Sequence, residues 1–443
     1  MKRFTYAALR ALSSLQYFLR ERLTDAGWLA FAAAGTAAAL GVDTTRTMSY
    51  QAFAFLAALL GIAFLGASLF RVRAAVAREL PRYATAGERF EYRLTIQNLG
   101  RSPIRGLTVR EKLHDPRPSY AEWRRTREPG EERRNWFDRN QGYFRWRWLI
   151  ERNSPERAAR QALAALQPGE SQAMTLWLKP RRRGRLELDA VHLARTEPLG
   201  LVRGVARIGT PGRVIALPKR YRLPALALPG RRRFQQGGVT LATSVGDSEE
   251  FIGLRDYRPG DPLQRMHWKS YARTGSPVVK EFQDEFFERH ALVLDTSTEQ
   301  GEDAAFEEAV AVAASFVYAI DTRECLLDLL FVGGEVRTYT AGRGQMQLEH
   351  MLEVLAGVAP STPHEFTALS RAVLAKRAGL TSCVVALLAW DETRKAFIEG
   401  LRRTGVETRV LLICERGRAP SPMPPGVVLL QPGEVGAGLA ALQ

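Results

Sequence analysis

Three observations predict a membrane-anchored α+β chain of several domains. Two charge-free runs, 26–42 and 47–70, lie near the N-terminus, and the second is long enough to span a bilayer. From about 80 to 217 short alternating runs are broken by Gly, Pro and Asn, which is the pattern of a β-sandwich with immunoglobulin-like strand spacing. From 289 to 443 continuous apolar strands alternate with amphipathic helices, the pattern of a doubly wound α/β sheet covered on both faces.

Residues 1–25 form a basic leader carrying Lys2, Arg3, Arg10, Arg20 and Arg22. The two apolar runs then read as a transmembrane helical hairpin over 26–70. Its connecting loop offers one arginine, Arg46, whereas Arg71, Arg73 and Arg78 follow the second run. The positive-inside rule therefore puts both flanks in the cytoplasm and makes the anchor two-pass. Charge is uneven along the chain. The net +16 divides into +5 for 1–80, +19 for 81–240 and −8 for 241–443. A basic middle and an acidic end indicate separate units with different neighbours. Cys325, Cys383 and Cys414 sit in apolar runs without metal-ligand spacing, which fits buried thiols in a reducing compartment.

Strand candidates in 80–217 include FEYRLTIQ, SPIRGLTVREKL, MTLWLKP, RLELDAVHLA and RVIALP. A long insertion, 114–167, interrupts them and contains NWFDRNQGYFRWRWLIERN. Three readings apply to it. The alternation of Arg and Trp makes a strand with one buried face. Trp136, Trp146, Trp148, Arg145 and Arg147 also suit a membrane surface, where Trp sits at headgroup depth and Arg meets anionic lipid. The same chemistry serves single-stranded nucleic acid, the least favoured of the three. The runs RRRGR at 181–185 and RRR at 231–233 read as solvated faces, which beside an anionic leaflet would each gain about 1 kcal/mol per residue.

Residues 218–288 combine a linker with LRDYRPGDPLQRMHWKSYARTGSPVVKEFQDE. Pro259 and Gly260 form a turn, Asp261 caps a helix beginning at Pro262, and Gly275 ends it. Arg255, Tyr257, Gly260, Asp261, Trp268, Lys269, Ala272, Arg273, Lys280 and Glu285 match in type and order the signature of a bacterial family, and the chain resembles domain-of-unknown-function family fifty-eight. KPRRRGRLEL at 179–188 and EPLGL at 197–201 resemble that family's upstream markers. The resemblance implies the bacterial inner membrane and partnership with a MoxR-type AAA+ ATPase. A membrane-tethered adaptor in envelope-related assembly or stress response is the expectation. The signature segment is expected to dock the α/β domain on the sandwich through Trp268 and Tyr257, with Arg255, Lys269 and Arg273 in polar contacts. An enzyme with Asp261, His267 and Lys269 as acid, base and cation is the alternative, although no nucleophile stands out. GxxxxGK[ST], HExxH and GxSxG are all absent.

Doubly wound sheets carry ligand sites at the carboxyl ends of their strands. There the sequence places Asp295, Ser297 and Glu299 after one strand and Asp391 after another, with Thr362 and Thr367 between. This resembles the metal-ion-dependent adhesion site of von Willebrand factor A domains, with Glu299 in place of the second serine. The resemblance implies Mg²⁺, which prefers hard oxygen ligands.

Overall fold

The computed structural model describes residues 2–41, 47–224, 249–261, 263–284, 288–298, 304–320, 325–342 and 345–442. The arginines at 231–233, together with Glu285 and Glu299, lie outside them.

The leader is a helix, α1 (Lys2–Arg22), separated by only Leu23 and Thr24 from α2 (Asp25–Leu40). Thr24 caps α2 by accepting from Gly27 N at 3.0 Å, and its hydroxyl donates to Gly200 O at 2.6 Å. The foot of α2 is thereby fixed to the 200–202 loop. Helix α2 packs beside α3 (Thr47–Ser68) in a cluster that includes Ala34, Leu60 and Ala63. Among the described residues, α3 is the one helix long and apolar enough to cross a bilayer, over Met48–Ser68. With 16 residues, α2 is shorter than a full span requires. Among the described residues there is therefore one candidate membrane span, near the N-terminus.

Two sheets follow. The strands are β1 (Ala74–Glu79), β2 (Tyr83–Thr85), β3 (Phe90–Asn98), β4 (Thr108–Leu113), β5 (Glu156–Arg157), β6 (Gln161–Ala162), β7 (Ser171–Lys179), β8 (Gly184–Thr196) and β9 (Arg203–Leu217). One sheet has the order β1-β3-β7-β5 and the other β2-β9-β8-β4-β6. Alternate residues of both sheets, among them Leu94, Ile96, Val109, Leu176 and Val191, close a common core. The β8–β9 ladder is long, running from the Gly184↔Ala216 pair to Thr196↔Arg203.

The aromatic stretch of the insertion is helical and not a strand: α4 (Tyr120–Arg125), α5 (Trp136–Gln141) and α6 (Tyr143–Asn153) precede the short β5 and β6. Trp146 and Leu149 lie three residues apart and bury with Trp123, so helical spacing with a tertiary partner outweighs the two-residue alternation of Arg and Trp. Tyr6 of α1 enters the same cluster, with its ring 5.4 Å from Tyr120 and 5.5 Å from Trp146.

Strands β10 (Glu249–Asp256) and β11 (Val278–Asp284) form a separate antiparallel pair, with α7 (Trp268–Thr274) between them in sequence. The C-terminal sheet contains β12 (Glu288–Leu294), β13 (Cys325–Val332), β14 (Val336–Ala341), β15 (Ser382–Leu387), β16 (Glu407–Ile413) and β17 (Val427–Leu430). Its order is β14-β13-β12-β15-β16-β17, parallel except for β14. Helices α8 (Ala304–Ala319), α9 (Gln345–Ala356), α10 (Phe366–Lys376), α11 (Glu392–Arg403) and α12 (Val435–Ala440) complete the domain. Two apolar clusters, one around Phe306 and Phe316 and the other around Phe366 and Phe397, cover the two faces. The three cysteines are buried, and burial pushes the Cys383 thiol up to about 12.

The sandwich and the C-terminal domain meet directly. Arg183, from the basic run between β7 and β8, donates from Nε to Leu355 O at 3.1 Å and from Nη2 to Val358 O at 2.6 Å. It also pairs with Glu307. Leu217 joins the C-terminal core, and the Tyr83 hydroxyl donates to Glu353 at 3.1 Å. Arg183 is thus an interface residue, not part of a solvated face.

Candidate functional site

The β10–α7–β11 module carries the expected signature residues, but in a different arrangement. Arg255 reaches Asp261 through both terminal nitrogens at 2.7 Å, and Arg258 N donates to the same carboxylate at 2.9 Å. The bidentate hydrogen bond from Arg255, with the backbone bond second, holds the Asp261 carboxyl down at about 2. Asp261 therefore closes a turn and does not cap the helix. A short 3₁₀ turn, Leu263–Arg265, follows, and α7 starts only at Trp268. Gly260 and Gly275 both take positive φ, at 106° and 72°, as the turn and the helix stop require.

Trp268 is 59% exposed, and its ring meets Tyr271 edge-on at 6.3 Å. Lys269, Ala272 and Arg273 are exposed beside it, and Tyr257 and Lys280 are half-buried. Trp268 does not serve as a wedge between domains, because Arg183, Tyr83 and Leu217 make that joint. The three residues of the enzyme alternative are engaged elsewhere or open. Asp261 is paired to Arg255, His267 Nδ1 lies 2.7 Å from Ser270 Oγ, and Lys269 is on the surface. A carboxylate ionised far below neutrality is poorly matched to general acid work near pH 7.

At the carboxyl end of the C-terminal sheet, Asp295 and Ser297 do come together with Asp391. Asp295 is fully buried, and its Oδ1 accepts from Ser297 N at 2.9 Å. Its Oδ2 accepts from Leu388 N at 3.2 Å and from Arg394 Nε at 2.7 Å. Asp391 caps α11 by accepting from Arg394 N at 2.8 Å, and its other oxygen pairs with the Arg394 side chain. The guanidinium also lies 4.6 Å from the Phe366 ring centroid. Burial disfavours its charge, but Asp295 and Asp391 outweigh that and raise its pKa. Ser361 adds a polar stitch, with Oγ 2.9 Å from Thr296 Oγ1 and 3.3 Å from Ser297 Oγ.

This donor set does not fit Mg²⁺. The ion needs several oxygen ligands in an octahedron, whereas the Asp295 oxygens already face N–H donors and a buried guanidinium bridges to Asp391. Among the described residues no group of three or more His, Cys, Asp or Glu side chains is placed to hold a metal. Thr362 bonds Glu365 and Thr367 is exposed. Arg394 stands three residues after Asp391, in the first turn of α11, a spacing that brings a basic side chain back onto an N-capping carboxylate.

The membrane-surface candidates divide. Trp136 and Arg147 are exposed. Trp146 is buried, Arg145 pairs with Glu131 and donates to Trp123 O at 3.1 Å, and Trp148 is half-buried beneath Arg152. Arg145 and Trp146 therefore hold the insertion together.

The Bacillus subtilis (strain 168) uncharacterized protein YeaD is 25% identical over 188 residues, which is 42% of this chain and 46% of that protein. The match thus spans under half of the relative's length. The CARDB domain of a Pyrococcus furiosus protein aligns with 32% of this chain and 94% of its own, at 13% identity and a TM-score of 0.17. The ASH/PapD-like domain of human CEP192 aligns with 33% of this chain and 86% of its own, at 11% identity and a TM-score of 0.16. A family model described as "Protein of unknown function DUF58" matches residues 253–423, which take in the hairpin module and the C-terminal sheet as far as β16.

Proposed function

We propose that this chain is a membrane-anchored adaptor that binds a protein partner through the β10–α7–β11 module. The observation that carries the reading is the exposed Trp268–Tyr271 pair, flanked by Lys269 and Arg273. Exposed Trp and Tyr beside basic groups are what interface hot spots are made of. In this reading α2 and α3 together form a two-pass anchor, both flanks are cytoplasmic, and the C-terminal domain is an A-domain-like unit closed by Arg394. The partner is a MoxR-type AAA+ ATPase, as the family resemblance implies, and the setting is envelope assembly or stress response at the bacterial inner membrane.

Affinity purification from gently solubilised membranes, with wild type beside a Trp268→Ala/Tyr271→Ala variant, tests this. Wild type should recover an AAA+ ATPase and the variant should not. Equal recovery removes the module from the reading, and no ATPase from either sinks the partnership.

A further inference from the structure

We infer that α1 is a second membrane contact, an amphipathic helix whose outer face lies on anionic phospholipid. The inference rests on the anchoring proposed above and is independent of the adaptor role. Phe4, Ala8, Ala11, Leu15 and Phe18 recur at spacings of four and three, so they form one stripe of the helix, and all five are exposed. Leu12 widens the stripe. The opposite face is already occupied: Tyr6 is wedged among Tyr120, Trp123 and Trp146, and its hydroxyl donates to Pro118 O at 3.1 Å. Rotation about the helix axis cannot bury the stripe without breaking that seat.

Charge selects the occupant. The helix carries five basic residues, Lys2, Arg3, Arg10, Arg20 and Arg22, and one acid, Glu21. Glu21 is turned inward to Arg110, Arg160 and His192. Arg22 lies over the exposed Phe18 ring at the end of the stripe, and Arg3 and Arg10 border it on one side, Arg10 also bonding the Tyr6 hydroxyl. The outward surface is therefore apolar with a basic margin on that side, the combination that anionic lipid attracts. Continuity supports the same occupant, because two residues separate α1 from α2, which packs on the candidate membrane span. An acidic protein would also meet the charge, but the stripe is open along the helix and makes no pocket for an anchoring side chain.

The test uses the full chain in nanodiscs of phosphatidylcholine, with or without phosphatidylglycerol. A fluorescent label is placed at Leu12→Cys, at Leu263→Cys in the hairpin module, or at Leu65→Cys in α3. The native cysteines are buried and leave the labelling specific. Brominated lipid should quench position 12 more than position 263, and more so with phosphatidylglycerol. The effect should fall in high salt and in an Arg3→Gln/Arg22→Gln variant, which leaves the Arg10–Tyr6 contact intact, since each basic residue multiplies partition about fivefold near an anionic surface. Equal, lipid-independent quenching at 12 and 263 overturns the inference. Shielding of position 12 from both lipid and iodide, with cross-links between copies, also overturns it, in favour of a second copy of the chain. Absence of quenching at position 65 is a different failure, that of the anchoring reading itself.

Discussion

Replacing Arg394 with methionine retains an unbranched stem above Phe366 but leaves Asp295, which is fully buried, without its cation. Removing one partner of a buried ion pair costs about 3–5 kcal/mol, most of it from the stranded charge. In a domain of this size each kcal/mol lowers the melting temperature by roughly 2–4 °C, so a drop on the order of 10 °C is expected. The Asp295→Asn/Arg394→Met double variant removes the charge as well and should lose much less than the sum of the two single changes. The assay is scanning calorimetry of the full chain in mild detergent, repeated with magnesium present and chelated. A drop of under about 2 °C for Arg394→Met would refute the reasoning, being below the cost of a stranded charge. So would a wild-type transition that rises with magnesium, because the site would then take the ion despite its guanidinium.

Other expectations follow from the seats described above. Burial pushes the Glu21 carboxyl up, but the hydrogen bond with His192 and the charges of Arg160 and Arg110 outweigh it, taking the group from 4.5 to about 2. A lowered folded value means that the stabilisation is complete above about 4.5 and lost as pH falls toward about 2. Relative to the intrinsic amide exchange rate at each pH, the protection of α1 should thus be unchanged from pH 7 to 5 and fall near pH 3. Glu21→Gln should loosen α1 by about 1–3 kcal/mol at neutral pH, read as faster proteolysis. Arg183→Ala strands the Leu355 and Val358 carbonyls and should cost about 2–4 kcal/mol, seen as separate melting of the sandwich and the C-terminal domain. Trp268→Ala should move the melting temperature little, since substitutions of exposed residues usually stay within about 0.5 kcal/mol. A clear loss of stability would mean that Trp268 is buried against another part of the chain.

The C-terminal sheet was legible because its strands are continuous apolar runs, and HALVLD, CLLDLLFV and SCVVAL each became a parallel strand. Strand β9 was legible only in its second half. Gly204, Pro211 and Gly212, ahead of RVIAL, look like turn residues, yet the glycines are there because a Cβ would overlap Phe70 at one and Leu80 at the other. Strand β17 and helix α12, short and late, were not anticipated. The insertion misled for a different reason: FRWRWL fits a period of two, and only the presence of Trp123 and Tyr6 decides for the helix. At the sheet's carboxyl end the acids were readable, but their counter-charge, Arg394, lies on the following helix and reaches Asp295 only once the sheet is folded.

Strand β9 also has a mechanical meaning. One end lies against Phe70, next to the candidate membrane span, and the other delivers Leu217 into the C-terminal core. Fifteen residues of strand reach on the order of 50 Å. A machine that gripped the C-terminal domain and pulled away from the bilayer would load this strand along its length. The β8–β9 ladder would then be sheared as a whole, with its hydrogen bonds sharing the load, while the polar joint at Arg183 would bear it on a few contacts. Under tension the joint should part before the sandwich unravels, releasing the C-terminal domain while leaving the anchored half folded and ready to receive it again.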